Sequence, residues 1–347
     1  MNMEYTLTRD DLKNCIEFAI NIYLKGGGPS RITGQGRGLG TIMNDWVGGK
    51  AVEIGVKRIL EQLNTSKELV LDFSIYPKGR VAEDPDVIRV KERGVERPPR
   101  LWLEIKSHGE NDRWIGLTEE QFSTINRRFG TVIEGVNKVD LSKVYLIYAN
   151  LYDEVEDPGK RLDLLGAFLQ IATKDEYAKL FEKFVSLGDI KIKIYCVLTL
   201  QDLIEKGVNF VPGEDYVYET DIFREARQNI ENLEEIELQG GILPKLKYKG
   251  YPYPAKIGDL RVTGSAHMYK KQNAKSVTYF IRGSTDLVVE NAVLGRYKLS
   301  KDKTYKFEFG PAGRNAELFR RVHWISARRA KELFGSDERM AEISQKI

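Results

Sequence analysis

Along residues 1–63, apolar positions recur at the spacing of one helical face. Residues 8–24 show this pattern, and Thr8 followed by acidic residues is typical of a helix N-terminus. Residues 44–63 repeat the pattern. Their apolar side consists of Val52, Val56, Ile59 and Leu60. Because Gly26, Gly27 and Gly28 interrupt the first pattern, the sequence predicts two separate amphipathic helices.

From residue 69 to residue 200 the pattern changes to short apolar runs that are typical of strands. These runs cover residues 69–76, 87–90, 101–105, 143–150 and 190–200. Helices are predicted from Thr118, where T-E-E-Q is a capping-box sequence, over residues 159–184, and briefly at 202–205. Since the runs at 87–90 and 101–105 flank a charged, proline-bearing turn, we expect them to pair as a β-hairpin.

The last third of the chain consists of strand-like runs separated by Gly, Ser, Asn and Asp, and it closes with an arginine-rich helical sequence. An acidic, polar stretch followed by GGILP precedes it. At 347 residues the chain exceeds what one core usually organises, so two domains are expected. We predict a first domain over residues 1–221, a linker over 222–244, and a smaller, mostly-β domain over 245–347.

Three charged residues stand out in the predicted hairpin. Glu104 and Lys106 are two positions apart in LWLEIKS and therefore share a face of their strand. Asp86 begins the other strand, so pairing brings all three side chains together. Carboxylates suit a hard divalent cation. A solvated hairpin face is the alternative, but LWLEIKS is apolar on both faces, and a buried charge without a partner is costly.

Pro85-Asp86 followed by Glu104-Ile105-Lys106 resembles the signature of PD-(D/E)xK nucleases. The resemblance implies an α/β (α+β) restriction-endonuclease-like core, in which a central mixed sheet is flanked by helices in the order α-β-β-β-α-β. It also implies that Asp86 and Glu104 bind Mg²⁺, that Mn²⁺ substitutes, and that Lys106 positions the attacking water. Residues 45–150 carry this resemblance.

In many nucleases of this family, a glutamate on the helix before the first core strand completes the acidic cluster. Glu53 is the matching candidate for a catalytic and metal-binding residue. The alternative is an ordinary surface pair, because Lys50 and Lys57 lie one turn on either side of it.

Charge is distributed unevenly along the chain. Residues 241–347 contain 22 Lys and Arg against 10 Asp and Glu, whereas residues 1–240 contain 32 against 41, so the total of +3 conceals a basic C-terminal third. A basic module beside an acidic one suits a protein that docks double-stranded DNA with one part and cuts it with another. Solubility alone is the alternative explanation.

Several residues are predicted to contact DNA. Arg31 and Arg37 lie in a glycine-rich loop, for which a flexible linker is the alternative, and Gln121 lies on a helix face that solvent alone would also explain. The remaining candidates are Arg320, Arg321, Trp324, Arg328 and Arg329. Around them, FRRVHWIS resembles a strand of PUA-like modules, a family that reads modified bases.

Composition restricts the remaining classes. No apolar run reaches the ~20 residues needed to cross a bilayer, and the N-terminus lacks a signal-peptide pattern, so a cytoplasmic protein without a membrane partner is expected. Cys15 and Cys196 lie in apolar surroundings and are predicted to be core residues. No histidine or cysteine spacing indicates zinc.

The sequence therefore predicts an Mg²⁺-dependent, sequence-specific double-stranded DNA endonuclease of the type II restriction kind, part of a restriction-modification system. Such cutters often act as homodimers, which address two strands with two sites. A structure-selective repair or recombination nuclease and a non-catalytic DNA-binding protein are the alternatives.

Overall fold

The computed structural model describes the chain in segments with gaps between them. The segments are residues 3–24, 39–75, 84–109, 112, 114–136, 138–153, 190–209, 224–227, 229–231, 233–243, 260–272, 277–291, 295–309, 321–335 and 337–347. Within them the protein is mixed α/β, with a mixed sheet flanked by helices and a separate mostly-β region. Two compact units form. The first comprises Met1–Glu110, Thr124–Leu200 and Phe334–Ile347, and the second comprises Asn111–Ser123 and Gln201–Leu333.

Among the described residues of the first unit are three α-helices and seven strands, and helix α3 (Glu119–Val132) contributes its residues from 124 onward. The helices are α1 (Arg9–Leu24), α2 (Leu39–Leu63) and α6 (Glu338–Lys346). The strands are β1 (Glu4–Thr6), β2 (Lys67–Leu71), β3 (Val87–Glu92), β4 (Val95–Arg97), β5 (Trp102–Ser107), β7 (Val144–Asp153) and β8 (Ile190–Thr199).

The second unit consists mainly of strands, with α4 (Leu200–Lys206) and α5 (Ala327–Phe334) at its ends. Its strands are β6 (Trp114–Thr118), β9 (Val208–Asn209), β10 (Arg224–Glu225), β11 (Glu234–Leu243), β12 (Leu260–Gln272), β13 (Val277–Gly283), β14 (Leu287–Asn291), β15 (Gly295–Leu299), β16 (Thr304–Phe309) and β17 (Arg321–Ser326). One sheet has the order β10-β16-β13-β12-β14-β15 with β11 also on β12, and another has the order β6-β17-β9.

The described strands of the first unit form two sheets. One has the order β1-β8-β7-β5, in which β5 and β7 are parallel and the other pairs are antiparallel. The other is the antiparallel sheet β2-β3-β4. Leu103 and Ile105 of β5 join an apolar core with α1, α2 and α6. Trp102, which points to the other face of β5, stacks on Phe129 of α3 with 6.4 Å between ring centroids.

The predicted cap of α1 is confirmed. The Asp11 backbone N–H donates to Thr8 Oγ1 (3.2 Å), and Asp11 Oδ2 accepts from the Thr8 backbone N–H (3.0 Å), which satisfies two donors at the helix start. Tyr5 and Arg58 also donate to the carboxylate of Asp11, at 2.9 and 3.3 Å. A buried acid thereby joins the cap to strand β1 and helix α2.

Helix α2 contacts strand β8 through a glycine. A Cβ on Gly55 would lie 2.5 Å from Cβ and Cγ1 of Ile192, whose side chain is fully buried. The absence of a side chain at Gly55 therefore allows the close approach of α2 to the sheet, and this contact sets the position of the helix that carries Glu53.

The predicted pairing of the 87–90 and 101–105 runs is wrong. β3 instead pairs with β2 and, through a tight turn at Arg93 and Gly94, with β4, while β5 pairs with β7. Both turn residues have positive φ, 51° and 80°, which is the conformation that short hairpin turns require. The prolines Pro98 and Pro99 follow β4 and cannot donate to a ladder, so they end this hairpin instead of forming its turn.

Other predicted elements differ in extent. The strand predicted at 69–76 is β2 and ends at Leu71, because the Asp72 N–H donates to the Asp86 carbonyl (3.0 Å) and Asp72 Oδ1 accepts from the Ser74 N–H. Helix α2 begins at Leu39, five residues before its predicted start at 44. The helix predicted at 159–184 lies outside the described residues. The predicted strand at 190–200 and the helix beginning at Glu119 are observed.

The division into units differs from the predicted domains. The predicted linker, residues 222–244, carries β10 and β11, which pair within the large sheet of the second unit. The end of the chain returns to the first unit, where Lys67 of β2 donates to the carbonyls of Ser344 and Gln345 at 3.1 and 2.6 Å. Part of RVHWISARRAKELFG forms strand β17, and helix α5 follows it.

In the described part of the chain, no helix combines the length and the apolar character that crossing a bilayer requires. Cys15 and Cys196 are both buried free thiols, as predicted. Burial raises the pKa of Cys15 to about 12, so this thiol stays protonated and packs as a small apolar group.

Candidate functional site

Asp86 lies against the edge of strand β5. Its backbone N–H donates to the Leu103 carbonyl (3.1 Å), and its Oδ2 accepts from the Ile105 N–H (2.5 Å). Strand β5 is the outer strand of its sheet in the described part of the chain, and Asp86 occupies the backbone groups on its open side. The backbone of Asp86 thus continues the ladder by one residue and holds its carboxylate between the positions of Glu104 and Lys106.

Glu104 and Lys106 point to the same side of β5, as predicted. Lys106 Nζ lies 2.5 Å from Glu104 Oε1, and the Trp102 indole N–H donates to Glu104 Oε2 (3.3 Å). The Glu104 side chain is 14% exposed and that of Lys106 is 33% exposed. The pair therefore lies where the strand meets solvent, with the carboxylate held from two directions.

Glu53 reaches the same cluster from helix α2. Its carboxylate forms an ion pair with Lys50, one turn earlier, and the two side chains are 15% and 6% exposed. Lys57 pairs with Glu61 instead, at 3.5 Å. The alternative of an ordinary surface pair at Glu53 is therefore wrong, because Lys50 is buried and Glu53 is largely covered.

The pKa values show that the four groups act on one another. Burial, followed by repulsion from Glu53 and Glu104, raises the pKa of Asp86 well above its usual range. Burial also raises the pKa of Glu53, although the charges of Lys50 and Lys106 oppose it. Asp86, Glu104, Lys106 and Glu53 consequently form one electrostatic cluster, as the sequence predicted.

The pKa of Lys106 is raised as well, but neighbouring charges and not burial are the cause. Burial alone lowers the pKa of its ammonium, but the charges of Glu104 and Asp86 outweigh that effect and raise the pKa above the usual value. The side chain therefore carries its proton at neutral pH. It can orient a water or neutralise a phosphate oxygen, but it cannot take a proton from water.

The donor chemistry of the cluster suits a hard divalent cation. Asp86, Glu104 and Glu53 supply carboxylate oxygens, the ligands preferred by Mg²⁺. Burial is the largest cause of the raised pKa values of Asp86 and Glu53, and a cation bound beside them would oppose it. Among the described residues, no three His, Cys, Asp or Glu side chains are already arranged as metal ligands. The protein's own donors hold these carboxylates, namely the Ile105 N–H, Lys106 and Lys50.

The neighbouring acid, Asp84, has a different role from Asp86. Its Oδ1 lies 2.6 Å from Nη2 of Arg128 on α3, and both side chains are about one-third exposed. This pair joins the segment before β3 to helix α3. The preference for Asp86 over Asp84 as the site acid is consistent with this geometry.

The residues predicted to contact DNA occupy different environments. Arg31, Arg37 and Arg320, together with the side chain of Arg321, lie outside the described part of the structure. Gln121 Oε1 accepts from the Thr118 N–H (3.1 Å) and so completes the capping box of α3. Capping therefore accounts for this side chain without DNA.

In the second unit, Trp324 is a packing residue. It is 8% exposed and forms an edge-to-face contact with Trp114, with 4.0 Å between centroids. Arg328 is exposed, and its guanidinium lies 4.2 Å from the centre of the Tyr297 ring. Arg329 lies 3.3 Å from Glu332. Of these three, Arg328 is the most accessible to a phosphate group.

Sequence reasoning missed the role of Lys50 and its surroundings. Lys50 Nζ donates to the Asp72 carbonyl (2.7 Å) and lies over the rings of Phe18 and Phe73. A lysine between Gly48-Gly49 and the apolar Ala51-Val52 is a weak signal of burial. Its partners are distant in sequence, so the pattern alone predicts a surface pair.

His108, which directly follows β5, is also buried. Its ring stacks on Tyr195 with 4.0 Å between centroids, and its backbone carbonyl accepts from Asn150 Nδ2 (2.9 Å). These contacts explain its position through packing between β5, β7 and β8.

Comparisons with models of known families, with curated proteins and with solved structures found no match to this chain.

Proposed function

We propose that this protein is an Mg²⁺-dependent endonuclease that cuts double-stranded DNA at specific sequences, in the manner of type II restriction enzymes. The observation that carries the proposal is the convergence of Asp86, Glu104 and Lys106 at the edge of β5, with Glu53 close enough to affect the pKa of Asp86. Two carboxylates beside a protonated lysine suit the hydrolysis of a phosphodiester.

The order of elements supports the same proposal. Helix α2, strands β2, β3 and β5, helix α3 and strand β7 occur along the chain in the order α-β-β-β-α-β, with the short strands β4 and β6 inserted before and after β5. Strand β5 is parallel to β7. This α-β-β-β-α-β order is the one expected of a restriction-endonuclease-like core. The acids lie at corresponding places, on the first helix, before the second strand and within the third.

Each residue has a distinct role in the proposed reaction. Asp86 and Glu104 hold Mg²⁺, which when bound supplies Lewis acidity and lowers the pKa of a water. Lys106, protonated at neutral pH, orients the attacking water and stabilises the negative charge that develops on the scissile phosphate. The Trp102 N–H and the Ile105 N–H keep the two carboxylates in position.

The second unit provides the attraction to DNA in this proposal. Among its described side chains between residues 260 and 333, nine Lys and Arg are exposed, compared with four exposed Asp and Glu. The basic residues are Arg261, Lys271, Arg282, Arg296, Lys298, Lys301, Lys303, Arg328 and Lys331. Such a surface binds phosphates, and its affinity should fall steeply with salt.

Digestion of methylated and unmethylated plasmid DNA in Mg²⁺ tests the proposal. Discrete fragments with mappable ends are expected. Cutting confined to branched or single-stranded substrates would indicate a repair or recombination nuclease instead. Salt-dependent DNA binding without nicking in Mg²⁺ or Mn²⁺ would indicate a non-catalytic DNA-binding protein and would refute the proposal.

A further inference from the structure

Lys50 is a buried cation with a complete set of partners. Its side chain is 6% exposed and forms an ion pair with Glu53. Nζ also donates to the Asp72 carbonyl (2.7 Å) and lies 4.5 Å and 4.8 Å from the ring centres of Phe18 and Phe73. These rings meet edge to face, so the ammonium is enclosed on its apolar sides and directed at the carboxylate.

The contacts of Lys50 extend to a second acid of the site. The Asp72 carbonyl accepts from Lys50, and the Asp72 N–H donates to the Asp86 carbonyl (3.0 Å). Asp86 in turn binds β5 through the Leu103 carbonyl and the Ile105 N–H. Lys50 therefore fastens the helix that carries Glu53 to the segment that carries Asp86.

The charges of the cluster indicate what this contact does. The cluster contains three carboxylates, Asp86, Glu104 and Glu53, and two ammonium groups. Lys106 forms an ion pair with Glu104, and Lys50 forms an ion pair with Glu53. The Lys106 side chain is one-third exposed to solvent, whereas Lys50 is enclosed. Neutralisation of Glu53 is thus built into the fold.

We propose that Lys50 is a positioning residue that acts through Glu53, because its ammonium occupies the position beside Glu53 that a second cation would need. The site then binds one divalent ion, at Asp86 and Glu104. Glu53 then serves as the anchor of Lys50 and not as a metal ligand. This inference rests on the proposed function, because it assumes that the carboxylate cluster binds a divalent ion.

Counting bound Mn²⁺ on the full chain without DNA tests this inference. The electron paramagnetic resonance signal of free Mn²⁺ decreases as ions bind, so its loss at a known total concentration gives the number of ions bound per chain. One ion is expected for the native chain and for Lys50→Arg, which keeps the charge. Lys50→Met keeps the apolar stem between the two rings but frees Glu53, so a second ion is expected. Lys57→Met, which breaks the Lys57–Glu61 pair on the same helix, is the matched control and should bind one ion.

Glu53→Gln separates this role from a general effect on folding. One bound ion is expected for this single variant, because Glu53 is not a ligand in the native chain. One ion is also expected for Lys50→Met combined with Glu53→Gln, since the freed carboxylate is gone. If Lys50→Met does not fold, the Glu53→Gln single variant still decides the matter.

Three results would overturn the inference. The first is two bound ions on the native chain, and the second is loss of Mn²⁺ binding in Glu53→Gln. The third is a Lys50→Met variant that folds and binds one ion, as Lys57→Met does. All three leave the proposed function intact, because the native chain still binds the metal. If the native chain binds no Mn²⁺ at all, both the inference and the proposed function fail.

Discussion

The contact between Gly55 and Ile192 makes a quantitative prediction about the helix that carries Glu53. In Gly55→Ala the new Cβ would meet three atoms of Ile192 at 2.5–2.7 Å. Carbon atoms in contact normally lie about 3.5–4.0 Å apart, so helix or strand must move by roughly 1 Å. Ile192 is fully buried, and the clash involves its branched Cβ, which no rotamer change can remove.

The magnitude follows from two opposing effects. Overpacking a buried contact costs about 1–3 kcal/mol, and the central position of the clash favours the upper end. Replacing a helical glycine by alanine gains about 1 kcal/mol. We therefore expect the free energy of unfolding of Gly55→Ala to fall by about 2 kcal/mol relative to the native chain.

Gly49→Ala is the matched control for this prediction. Gly49 lies on the same helix, and a Cβ there would meet nothing within 4 Å, so the helix-propensity gain of about 1 kcal/mol should remain. Urea unfolding of both variants, followed by circular dichroism, measures the difference. If Gly55→Ala is as stable as Gly49→Ala, helix α2 is not seated on β8 as described.

Three further predictions concern buried acids. Burial raises the pKa of Asp11, but Thr8, Tyr5 and Arg58 outweigh that effect, so the pKa in the folded chain lies below the usual 3.8. The ionised Asp11 therefore stabilises the fold above pH 3.8, and this contribution is lost as the pH falls through the pKa of the folded chain. Asp11→Asn should therefore cost about 1–2 kcal/mol at neutral pH and converge with the native chain in acid; a gap in urea midpoint that is independent of pH would contradict this. The pKa of Asp86 is raised, so its ionised form destabilises the fold at neutral pH. Asp86→Asn keeps an acceptor for the Ile105 N–H and should increase the free energy of unfolding by about 1 kcal/mol. A lower urea midpoint for this variant would contradict the raised pKa. Mn²⁺ binding requires the ionised Asp86 carboxylate, so lowering the pH should weaken binding while the pH is still well above 3.8. Titrations with Mn²⁺ at several pH values measure this, and an affinity that stays constant down to about pH 4 would contradict the raised pKa.

The proximity of Asp86, Glu104 and Lys106 could be predicted from the sequence, because local features place each side chain. Glu104 and Lys106 share a strand face by spacing alone, and Asp86 begins the apolar run of β3. The capping boxes at Thr8 and Thr118 are local in the same way, and both are observed.

The partners of these residues were less predictable, because they depend on pairing between distant segments. The predicted hairpin between residues 87–90 and 101–105 missed the turn at Arg93 and Gly94, whose positive φ values are a property of the folded chain. Asp86 nevertheless meets Glu104, since its backbone and carboxylate bind the edge of β5. Asp86 and Glu104 therefore lie close together as expected, although the strand pairing that was expected to bring them together was wrong.

Burial was the property that the sequence described least well. Lys50 and Trp324 both looked exposed, one as a surface pair and the other as a DNA contact, yet both are buried by segments far away in the sequence. Lys50 is enclosed by Phe18 and Phe73, and Trp324 packs on Trp114. Helical or strand spacing gives the direction of a side chain but not what covers it.

The most direct test of the central claim compares two Lys–Glu pairs on strands. Lys106 and Glu104 form the pair at the site, and Lys91 and Glu68 form an exposed pair, 3.2 Å apart, between β3 and β2. Lys106→Met and Glu104→Gln should each slow cleavage of supercoiled plasmid in Mg²⁺ by at least about 100-fold while DNA binding persists. Lys91→Met and Glu68→Gln should cut at the native rate. Cleavage at the native rate by Lys106→Met or Glu104→Gln would contradict the assignment of this site.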